Sequence, residues 1–382
     1  MPVIRSLLDN DLYTFTVMQM VYHQFPGVSV EYALKNRGIE NLSVLKDEIE
    51  KELVSFCSLS FTKEELDYLR TIRYLKSDFI DFLSLFKPQL KHVKVYEENN
   101  ELVIKVTGPW VMTVIFEVPI LAIINELWSK KNEIPVSSYT TETFTAAKLM
   151  IAKINNFTFS DFGTRRRHSF SRQASVVNIL SKQKDVCVGT SNVLLAKNFN
   201  MTPIGTMSHQ IFMAAQQLGP RIVDSQKFML QTWVNEYRGD LGIALTDTIG
   251  IDAFLKDFDL YFAKLYDGLR HDSGDPFSFG YKVIDHYKKL RIDPMTKKLV
   301  FSDSLNFQKA VSIAHEFSGK IPVTFGIGTN LTNDSRYGHP LNIVMKLTSC
   351  SGQPVTKISD SEGKSMCYDA EYEAYVHKVF GK

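Results

Sequence analysis

Short apolar runs that end abruptly in polar residues recur along the chain from residue 157 onward. They occupy residues 157–159, 186–188, 203–204, 243–245, 269, 299–301 and 323–325. Each run leads into a cluster of glycine, hydroxyl, acidic, arginine or histidine residues, and then into a stretch with helical character such as 310–317. A strand, a polar loop and a helix, repeated at this length, predict a parallel sheet with crossover helices. Because about seven such units carry polar residues at the carboxyl ends of strands, we predict an α/β fold with an incomplete TIM-like (β/α) barrel.

The beginning of the chain follows a different pattern. Residues 30–35 alternate between apolar and polar side chains, which predicts a strand, and a hairpin is predicted around Asn99-Asn100. Thr62 and Glu65 have the spacing of a capping box, which predicts that a helix begins there. Together these features predict a mixed α+β N-terminal domain beside the barrel.

The change of pattern sets the predicted domain boundaries. We place the N-terminal domain at residues 1–125 and the catalytic barrel at residues 126–346. Residues 347–382 are predicted to be extended chain that returns to join the N-terminal domain. The most apolar window, 111–127, is interrupted by polar residues and is too short to cross a bilayer, so we predict a buried strand and then a core helix opening at Pro119.

Composition excludes several classes of function. The chain has 382 residues, of which 44% are apolar and 23% charged, as in ordinary globular proteins. A formal net charge of +2 provides no general field for polyanions, so neither nucleic acid nor a membrane is an expected partner. Cys57, Cys187, Cys350 and Cys367 form no CxxC pair, which argues against a zinc site or a disulfide framework. Reduced thiols and an N-terminus without a signal-peptide core predict a cytoplasmic protein.

The loop after the run 323–325 is a candidate phosphate site. Gly326 and Gly328 allow backbone N–H groups to converge on an anion, and Thr329 and Asn330 add side-chain donors where a helix is predicted to start. The same residue types also form ordinary turns, so the loop alone leaves both interpretations open.

Three further positions place titratable groups at predicted strand ends. His209 follows a Gly-Thr pair, where an imidazole could act as a base, an acid or a phosphoryl acceptor. Arg270 and Asp272 share one side of an extended segment, which sets a phosphate-binding guanidinium beside a carboxylate suited to ribose hydroxyls or Mg²⁺. An ion-paired turn would explain this pair equally well. Asp303 repeats the carboxylate at another strand end.

A basic run, Arg165 to Arg167, comes directly after Phe162 and Gly163. Charge runs are usually solvated surface, but the position of this one after a predicted strand indicates that at least one arginine faces the site. Phe162 could stack on a planar ligand or pack in the core.

Six motifs taken together resemble the nicotinate phosphoribosyltransferases in residue identity, order and spacing. They are Leu8-Asp9-Asn10-Asp11-Leu12-Tyr13, Asp161-Phe162-Gly163-Thr164-Arg165, Gly189-Thr190-Ser191-Asn192, Gly205-Thr206-Met207-Ser208-His209, Arg270-His271-Asp272-Ser273-Gly274-Asp275 and Phe325-Gly326-Ile327-Gly328-Thr329-Asn330. The resemblance covers nearly the whole chain. It implies a type II phosphoribosyltransferase fold, usually a homodimer with shared active sites. It also implies that nicotinate and 5-phosphoribosyl 1-pyrophosphate become nicotinate mononucleotide and pyrophosphate in NAD biosynthesis, with ATP hydrolysis coupled through a phosphohistidine.

The same resemblance implies roles for individual residues. His209 would be the phosphorylated histidine, and Phe162 and Tyr13 would sandwich the pyridine ring, with Tyr13 supplied by the partner subunit. Arg165 would lie near the nicotinate carboxylate, and Mg²⁺ would accompany the pyrophosphate with Asp272 as the one candidate protein ligand. The implied contacts to the phosphoribosyl and pyrophosphate groups are Arg270, Asp272, Ser302 and Asp303, and those to the 5-phosphate are Gly326, Gly328, Thr329 and Asn330.

The choice between acid and amide substrate depends on Ser191. The related enzyme that takes nicotinamide is expected, by the resemblance, to carry an aspartate at this position. A carboxylate there would accept a hydrogen bond from an amide and repel nicotinate, whereas Ser191 together with Arg165 favours the acid. We therefore predict a strong preference for nicotinate, with nicotinamide phosphoribosyl transfer as the alternative.

Two other classes of function share part of this pattern. A barrel aldolase or isomerase acting on a sugar phosphate would use the phosphate loop and the strand-end carboxylates. It would ordinarily need a Schiff-base lysine or a proton-abstracting base, and no lysine ends a predicted strand up to Phe325. A non-catalytic sensor of phosphorylated metabolites would explain the loop but not the histidine.

Overall fold

The computed structural model describes residues 1–134, 137–334, 340–361 and 365–381. The chain divides into two compact units, each drawn from three stretches of sequence. Unit 1 comprises Met1–Met150, Ser160–Gly205 and Ile327–Lys346, and unit 2 comprises Ile151–Phe159, Thr206–Gly326 and Leu347–Lys382. These stretches do not coincide with the predicted domains, whose boundaries stay a prediction.

The helices and strands follow each other along the whole chain. The helices are α1 Leu12–Gln24, α2 Lys46–Cys57, α3 Lys63–Arg70, α4 Ser77–Leu85, α5 Trp110–Thr113, α6 Glu117–Lys131, α7 Ser138–Ile154, α8 Phe170–Leu180, α9 Val193–Asn198, α10 His209–Leu218, α11 Ser225–Tyr237, α12 Ile251–Asp257, α13 Leu260–Leu265, α14 Pro276–Lys289, α15 Phe307–Phe317, α16 Thr329–Thr332 and α17 Ala370–Phe380. The strands are β1 Ser29–Asn36, β2 Val93–Glu98, β3 Glu101–Pro109, β4 Thr158–Asp161, β5 Cys187–Thr190, β6 Ile243–Leu245, β7 Gly268–His271, β8 Lys298–Phe301, β9 Val323–Ile327, β10 Ile343–Cys350 and β11 Gln353–Pro354.

One sheet contains five strands in the order β11-β10-β1-β3-β2, and its pairs β1–β3, β2–β3 and β10–β11 are antiparallel. The β2–β3 hairpin confirms the turn predicted at Asn99-Asn100, because Glu98 pairs with Glu101 and the two asparagines have φ of 51° and 62°. Two central residues with positive φ form the turn that matches the twist of a hairpin. The predicted capping box is also confirmed, since Thr62 and Glu65 each accept the backbone N–H of the other at the start of α3.

The second sheet contains six strands in the order β5-β4-β9-β8-β7-β6, and β6, β7, β8 and β9 pair in parallel. This confirms the α/β class and six of the predicted runs. The seventh run, 203–204, is not a strand, because Pro203 pairs with Thr190 only in an isolated bridge. A proline lacks the N–H that a ladder requires. Whether the sheet curves into the predicted incomplete barrel stays a prediction.

The apolar window 111–127 is helical throughout, so the strand predicted there is wrong. Residues Trp110–Lys131 are long and apolar enough to cross a membrane, but most of this stretch is buried inside the protein, as in a core helix. Apolar residues on every face hide the period that separates a buried strand from a buried helix. Helix α6 begins at Glu117, and Pro119 lies in its first turn, where backbone N–H groups have no helical partner.

The C-terminal segment is only partly extended. Strands β10 and β11 surround a turn at Ser351-Gly352, with φ of 51° and 76°. The prediction of extended chain is wrong for Ala370–Phe380, which forms α17. Asp369 accepts the N–H of Tyr372 and thereby caps this helix, a signal that the sequence contained.

A buried ion pair organises unit 1. Arg167 donates two hydrogen bonds to Asp9, at 2.6 and 2.8 Å, and the two side chains are 0% and 1% exposed. Asn192, two residues beyond β5, also donates to Asp9 at 2.7 Å. Gln173 of α8 accepts from Arg167 at 3.4 Å. The pair therefore joins the N-terminal segment to the segments that follow β4 and β5.

Both partners of this pair need each other. Burial by itself would lower the pKa of Arg167, but the carboxylate of Asp9 more than compensates and raises it. Removing one partner from such a pair leaves an uncompensated charge in the interior, which costs far more than the pair contributes.

Replacement of Arg167 by methionine is expected to lower the free energy of unfolding by about 3–5 kcal/mol, because the buried Asp9 carboxylate loses its partner. Urea unfolding of the wild type and the variant measures this loss. The double variant Asp9→Asn/Arg167→Met should recover part of it, since no buried charge remains unpaired. The matched control is Lys63→Met, which breaks an exposed pair with Asp67 and should unfold at nearly the wild-type urea concentration. Equal losses in Arg167→Met and Lys63→Met would contradict this account.

Candidate active site

His209 is the centre of a buried polar group in unit 2. It is the first residue of α10, and its Nε2 lies 2.8 Å from Oδ1 of Asp247, two residues beyond β6. Because a carboxylate oxygen can only accept, Nε2 carries the proton of this hydrogen bond and the lone pair of a neutral ring lies on Nδ1. The N-terminal end of a helix also favours negative charge. The imidazole therefore has its lone pair on Nδ1, and it lies at a helix end that favours a bound anion.

Arg270 and Asp272, at the end of β7, lie next to His209. Arg270 Nη2 is 3.1 Å from Asp272 Oδ2, and His209 Nε2 is 3.7 Å from the same oxygen. Arg270 also donates to the hydroxyl of Thr206 and, at 3.1 Å, to the carbonyl of Met207. Ser302, which follows β8, donates to Asp272 Oδ1 at 2.7 Å. The structure thus brings together His209, Arg270, Asp272 and Ser302.

Asp247 and Lys357 belong to this group but were missed as site residues in the sequence. Lys357 Nζ lies 2.9 Å from Asp247 Oδ2, and both side chains are buried. Ser273 donates to the same oxygen at 2.6 Å. Asp247 stands in a strand-end polar cluster that the sequence revealed, whereas Lys357 lies far beyond the strand repeat and gave no signal. We name the set His209, Asp247, Arg270, Asp272 and Lys357 the histidine cluster.

Cationic neighbours keep the two carboxylates of the histidine cluster ionised. Burial opposes the ionisation of Asp247, but the charge of Lys357 and the hydrogen bonds from His209 and Ser273 outweigh it and hold the pKa of Asp247 well below its usual range. Burial likewise opposes the ionisation of Asp272, and the guanidinium of Arg270 holds its pKa below the usual range. Both groups are therefore acceptors and electrostatic partners at neutral pH, not proton donors.

The histidine cluster has the residue types of a metal site but not the donor set of a resident Mg²⁺. One ligand atom from each of His209, Asp247 and Asp272 lies within 4.8 Å of the others. Every carboxylate oxygen of the two aspartates, however, already faces a protein donor. Mg²⁺ prefers six oxygen ligands, several of them water, and rarely uses imidazole. These residues fit an organic phosphate and its own cation better than a bound metal ion.

A second polar group lies in unit 1 and contains the residues predicted for the pyridine ring. Arg165 Nε is 3.4 Å from Asp11 Oδ2, and its Nη1 is 3.7 Å from Glu117 Oε1. The guanidinium lies over the ring of Tyr13, 5.7 Å from its centroid. Ser191 donates to Asp11 Oδ1 at 2.6 Å. We name Asp11, Tyr13, Glu117, Arg165 and Ser191 the arginine cluster.

Tyr13 therefore contacts Arg165 within one chain, whereas the sequence analysis assigned it to the partner subunit. Burial raises the pKa of Tyr13 well above its usual value, and the Glu117 carboxylate raises it further. The phenol is neutral at any physiological pH and offers a ring face and a hydroxyl. Its sharing between subunits stays a prediction.

The predicted phosphate loop is fastened to the turn that contains Phe162. Phe162 donates its N–H to the carbonyl of Ile327 at 2.9 Å, and a Cβ on Gly328 would lie 2.7 Å from the Phe162 carbonyl oxygen. Thr332 donates to the carbonyl of Gly163 at 3.2 Å. Only glycine fits at position 328, because a side chain there would collide with backbone.

The residues at the two ends of the predicted phosphate loop lie in regular secondary structure. Gly326 lies within β9, while Thr329 and Asn330 open the single turn α16. The carbonyl of Asn330 accepts from Lys148 at 2.6 Å. Asp303 accepts from Ser304 and lies near His271.

Asp161 connects the Phe162 turn to β5. Its Oδ1 accepts the N–H of Gly163 at 2.8 Å, and its Oδ2 accepts from Thr190 and Gln173 at 2.8 and 2.9 Å. The N–H of Ser191 donates to the Asp161 carbonyl at 2.7 Å. Burial raises the pKa of Asp161 to about 6, although these hydrogen bonds oppose the shift. One buried carboxyl thus fixes the two segments that carry Arg165 and Ser191.

Models of one protein family match both the N-terminal and the C-terminal part of the chain. The model of the nicotinate phosphoribosyltransferase (NAPRTase) family matches residues 157–382, and the model of its N-terminal domain matches residues 8–125. A nicotinate phosphoribosyltransferase from Chromobacterium violaceum is 50% identical over 396 residues, a match that covers 99% of this chain and 97% of the relative.

Solved structures agree with the sequence comparison. The nicotinate phosphoribosyltransferase of Vibrio cholerae superposes with a TM-score of 0.94 at 38% identity, covering 100% of this chain and 94% of the other. The nicotinate phosphoribosyltransferase of Porphyromonas gingivalis has a TM-score of 0.96 at 34% identity, with 100% of both chains covered.

Asp161 is expected to make the stability of the protein depend on pH. Its pKa of about 6 in the fold exceeds that of an unfolded aspartate, about 4, so its contribution is fully present below pH 4 and is lost as the pH rises to about 6. Between about pH 4.5 and 7.5 the wild type should lose roughly 2 kcal/mol of unfolding free energy relative to Asp161→Asn, which cannot titrate. Urea unfolding of both proteins at the two pH values measures this difference. Parallel pH profiles would show that Asp161 titrates normally.

Proposed function

This chain belongs to the nicotinate phosphoribosyltransferase family and transfers a phosphoribosyl group to nicotinate, and we propose that it couples this transfer to ATP hydrolysis at His209. The observation that carries the proposal is the hydrogen bond of 2.8 Å from His209 Nε2 to Asp247. It fixes one tautomer of a buried imidazole between two carboxylates and two cations, an arrangement suited to a phosphoryl acceptor.

The transfer reaction itself makes modest demands on acid and base groups. The nitrogen of nicotinate already has a lone pair and attacks the anomeric carbon of 5-phosphoribosyl 1-pyrophosphate, while the bond from that carbon to the pyrophosphate oxygen breaks. Alignment of the two substrates and stabilisation of the leaving pyrophosphate supply most of the rate enhancement. Polar positioning groups are therefore expected to predominate among the residues that bind the substrates, as they do within the histidine cluster and within the arginine cluster.

We assign the pyrophosphate and ribose groups to Arg270, Asp272 and Ser302. Arg270 is held by Thr206 and by the Met207 carbonyl, which fixes the direction of its guanidinium. Guanidinium groups bind phosphate oxygens in pairs, and Asp272 remains an acceptor for ribose hydroxyls because its pKa is low. Mg²⁺ would enter with the pyrophosphate of the substrate and offset its charge.

We assign nicotinate to the arginine cluster and the 5-phosphate to the loop at Gly328. Arg165 is 36% exposed at its side chain, so its charge can meet a carboxylate in solution. The loop between β9 and α16 offers N–H groups at the start of a turn, next to the backbone of Phe162. Anions bind in such nests of N–H groups.

The coupling step follows from the tautomer of His209. With the proton on Nε2, the Nδ1 lone pair attacks the γ-phosphorus of ATP, the bond to the bridging oxygen breaks, and ADP leaves. Asp247 stabilises the positive charge that the ring acquires, as a carboxylate does for other catalytic histidines. Water later hydrolyses the N–P bond and releases phosphate. The phosphorylated and free forms can then bind substrates with different affinities, which links ATP use to transfer.

We further propose a cytoplasmic homodimer. The four cysteines are free thiols, which suits a reducing compartment, and the resemblance implies active sites shared between subunits. Sedimentation velocity at micromolar concentration tests the dimer. The main species should have an apparent mass twice that of one chain. A single monomeric species would contradict it.

The variant His209→Ala is expected to lose ATP coupling while it keeps weak ATP-independent transfer. Incubation with γ-³²P ATP should label the wild type with an acid-labile, base-stable phosphate and leave the variant unlabelled. His315→Ala, which changes an exposed histidine of α15, is the matched control and should label normally. Unchanged ATP hydrolysis in His209→Ala would show that His209 is not the acceptor.

The same labelling experiment tests Asp247 as the positioning partner. Asp247→Asn should slow formation of the labelled protein about tenfold or more, because the ring loses its orienting charge. ATP-independent transfer should persist, whereas a purely structural defect would reduce both activities together. Asp247→Glu keeps the charge and should recover part of the labelling rate.

A further inference from the structure

The hydroxyl of Ser191 points its only proton at Asp11. The Oγ–Oδ1 distance is 2.6 Å, within the range of a short hydrogen bond to a charged acceptor. A serine hydroxyl has one proton and two lone pairs. While this bond exists, Ser191 can offer a ligand only lone pairs, and it acts as an acceptor on the ligand side.

Backbone contacts fix Asp11 in this position. Asp11 forms a β-bridge with Asn192, and the N–H of Leu12 donates to the carbonyl of Ser191 at 2.8 Å. The N–H of Asp11 itself is taken up by Asn10 at 3.0 Å. Asp11 is buried, so its carboxylate is held beside Ser191 by the fold and not by a mobile side chain.

The other oxygen of Asp11 faces Arg165. The Nε–Oδ2 distance is 3.4 Å, and Glu117 lies at the far end of the guanidinium at 3.7 Å. Two carboxylates therefore share the charge of one arginine. A nicotinate carboxylate has to compete with both of them for Arg165, whereas a nicotinamide amide adds no charge to this group.

We propose that Asp11 determines the direction of the Ser191 hydrogen bond and thereby limits how strongly the site prefers nicotinate over nicotinamide. This rests on the proposed assignment of nicotinate to the arginine cluster. In this arrangement the acid preference comes from Arg165, and the Ser191–Asp11 pair acts against it, since an acceptor oxygen repels a carboxylate and welcomes an amide N–H. This influence of Ser191 is the opposite of the one predicted from the sequence.

Asp11→Asn should reverse the direction of the hydrogen bond between Ser191 and residue 11. Arg165 Nε can only donate, so the amide oxygen of the new asparagine turns towards it and the amide nitrogen turns towards Ser191. Ser191 then accepts from the asparagine and is able to donate its own proton to the substrate. The same substitution removes one negative charge beside Arg165. Both effects favour the acid.

The measurement is the ratio of the inhibition constant of nicotinamide to the KM of nicotinate, at saturating 5-phosphoribosyl 1-pyrophosphate and ATP. Asp11→Asn should raise this ratio about tenfold. Glu117→Gln is the matched control, because it removes a charge from the other end of Arg165 and should raise the ratio less. In a Ser191→Ala background the effect of Asp11→Asn should fall to that of the control.

Ser191→Ala alone provides a test that does not depend on the folding of Asp11→Asn. If Ser191 is an acceptor, its removal should raise the ratio about threefold or more, because the amide loses a partner. If Ser191 instead donates to the nicotinate carboxylate, the ratio should fall, and that result would overturn the proposal. An unchanged ratio in folded Asp11→Asn would overturn it as well.

Arg165→Gln separates failure of the proposal from failure of the assigned site. It should raise the KM of nicotinate at least tenfold, because the substrate carboxylate loses its cation. If the KM is unchanged, nicotinate does not bind at the arginine cluster, and both the site and the role of Asp11 are overturned. If Arg165→Gln raises the KM of nicotinate but Asp11→Asn leaves the ratio of the nicotinamide inhibition constant to the nicotinate KM unchanged, the assigned site stands and only the role of Asp11 is overturned.

Discussion

The buried pair of Asp9 and Arg167 is the constraint on which unit 1 depends. Arg167 is wholly enclosed, so its charge can exist there only because Asp9 takes both ends of the guanidinium. The pair uses one arginine of a basic run for structure and leaves Arg165, two residues earlier, with a partly exposed guanidinium. It also sets the N-terminal segment against β5, and so Asp11 against Ser191. The arrangement of the arginine cluster therefore follows from a buried ion pair that lies outside it.

The histidine cluster shows a different use of buried charge. Its aspartates are kept ionised by Lys357 and Arg270, whose charges offset the cost of burial. Ionised carboxylates cannot give up protons, and in the proposed coupling step the imidazole is the group that changes its bonding. Fixed charges around one reactive nitrogen are what electrostatic preorganisation requires. In this proposal the charged residues of the histidine cluster position His209, and His209 is the residue that reacts.

Much of this arrangement could be predicted from the sequence because strand ends are local features. The runs before Arg270 and Ser302 were short, apolar and bounded by polar residues, so parallel pairing was expected to bring those residues together. The hairpin and the capping box followed from fixed spacings of a few residues. The helical form of 111–127 was missed, because a segment that is apolar on all faces carries no periodicity.

The remaining parts depend on contacts that span the chain. Lys357 reaches Asp247 across 110 positions and Arg167 reaches Asp9 across 158, and no local pattern specifies such pairings. Arg167 could equally have been exposed to solvent, because the sequence of a basic run does not distinguish a buried arginine from an exposed one. The direction of the Ser191 hydroxyl is likewise a property of its neighbours and not of the serine. Residue type predicted where chemistry would lie, and tertiary contacts decided which partner each group obtained.

The contact between Gly328 and the Phe162 carbonyl limits how this protein can change over generations. A residue larger than glycine would displace the backbone of the neighbouring turn, and any shift of that turn would in return crowd the glycine. Natural variation, or a laboratory library aimed at a new heterocycle, cannot therefore explore the two segments one at a time. The turn at Phe162 and the loop at Gly328 are therefore inherited as one block.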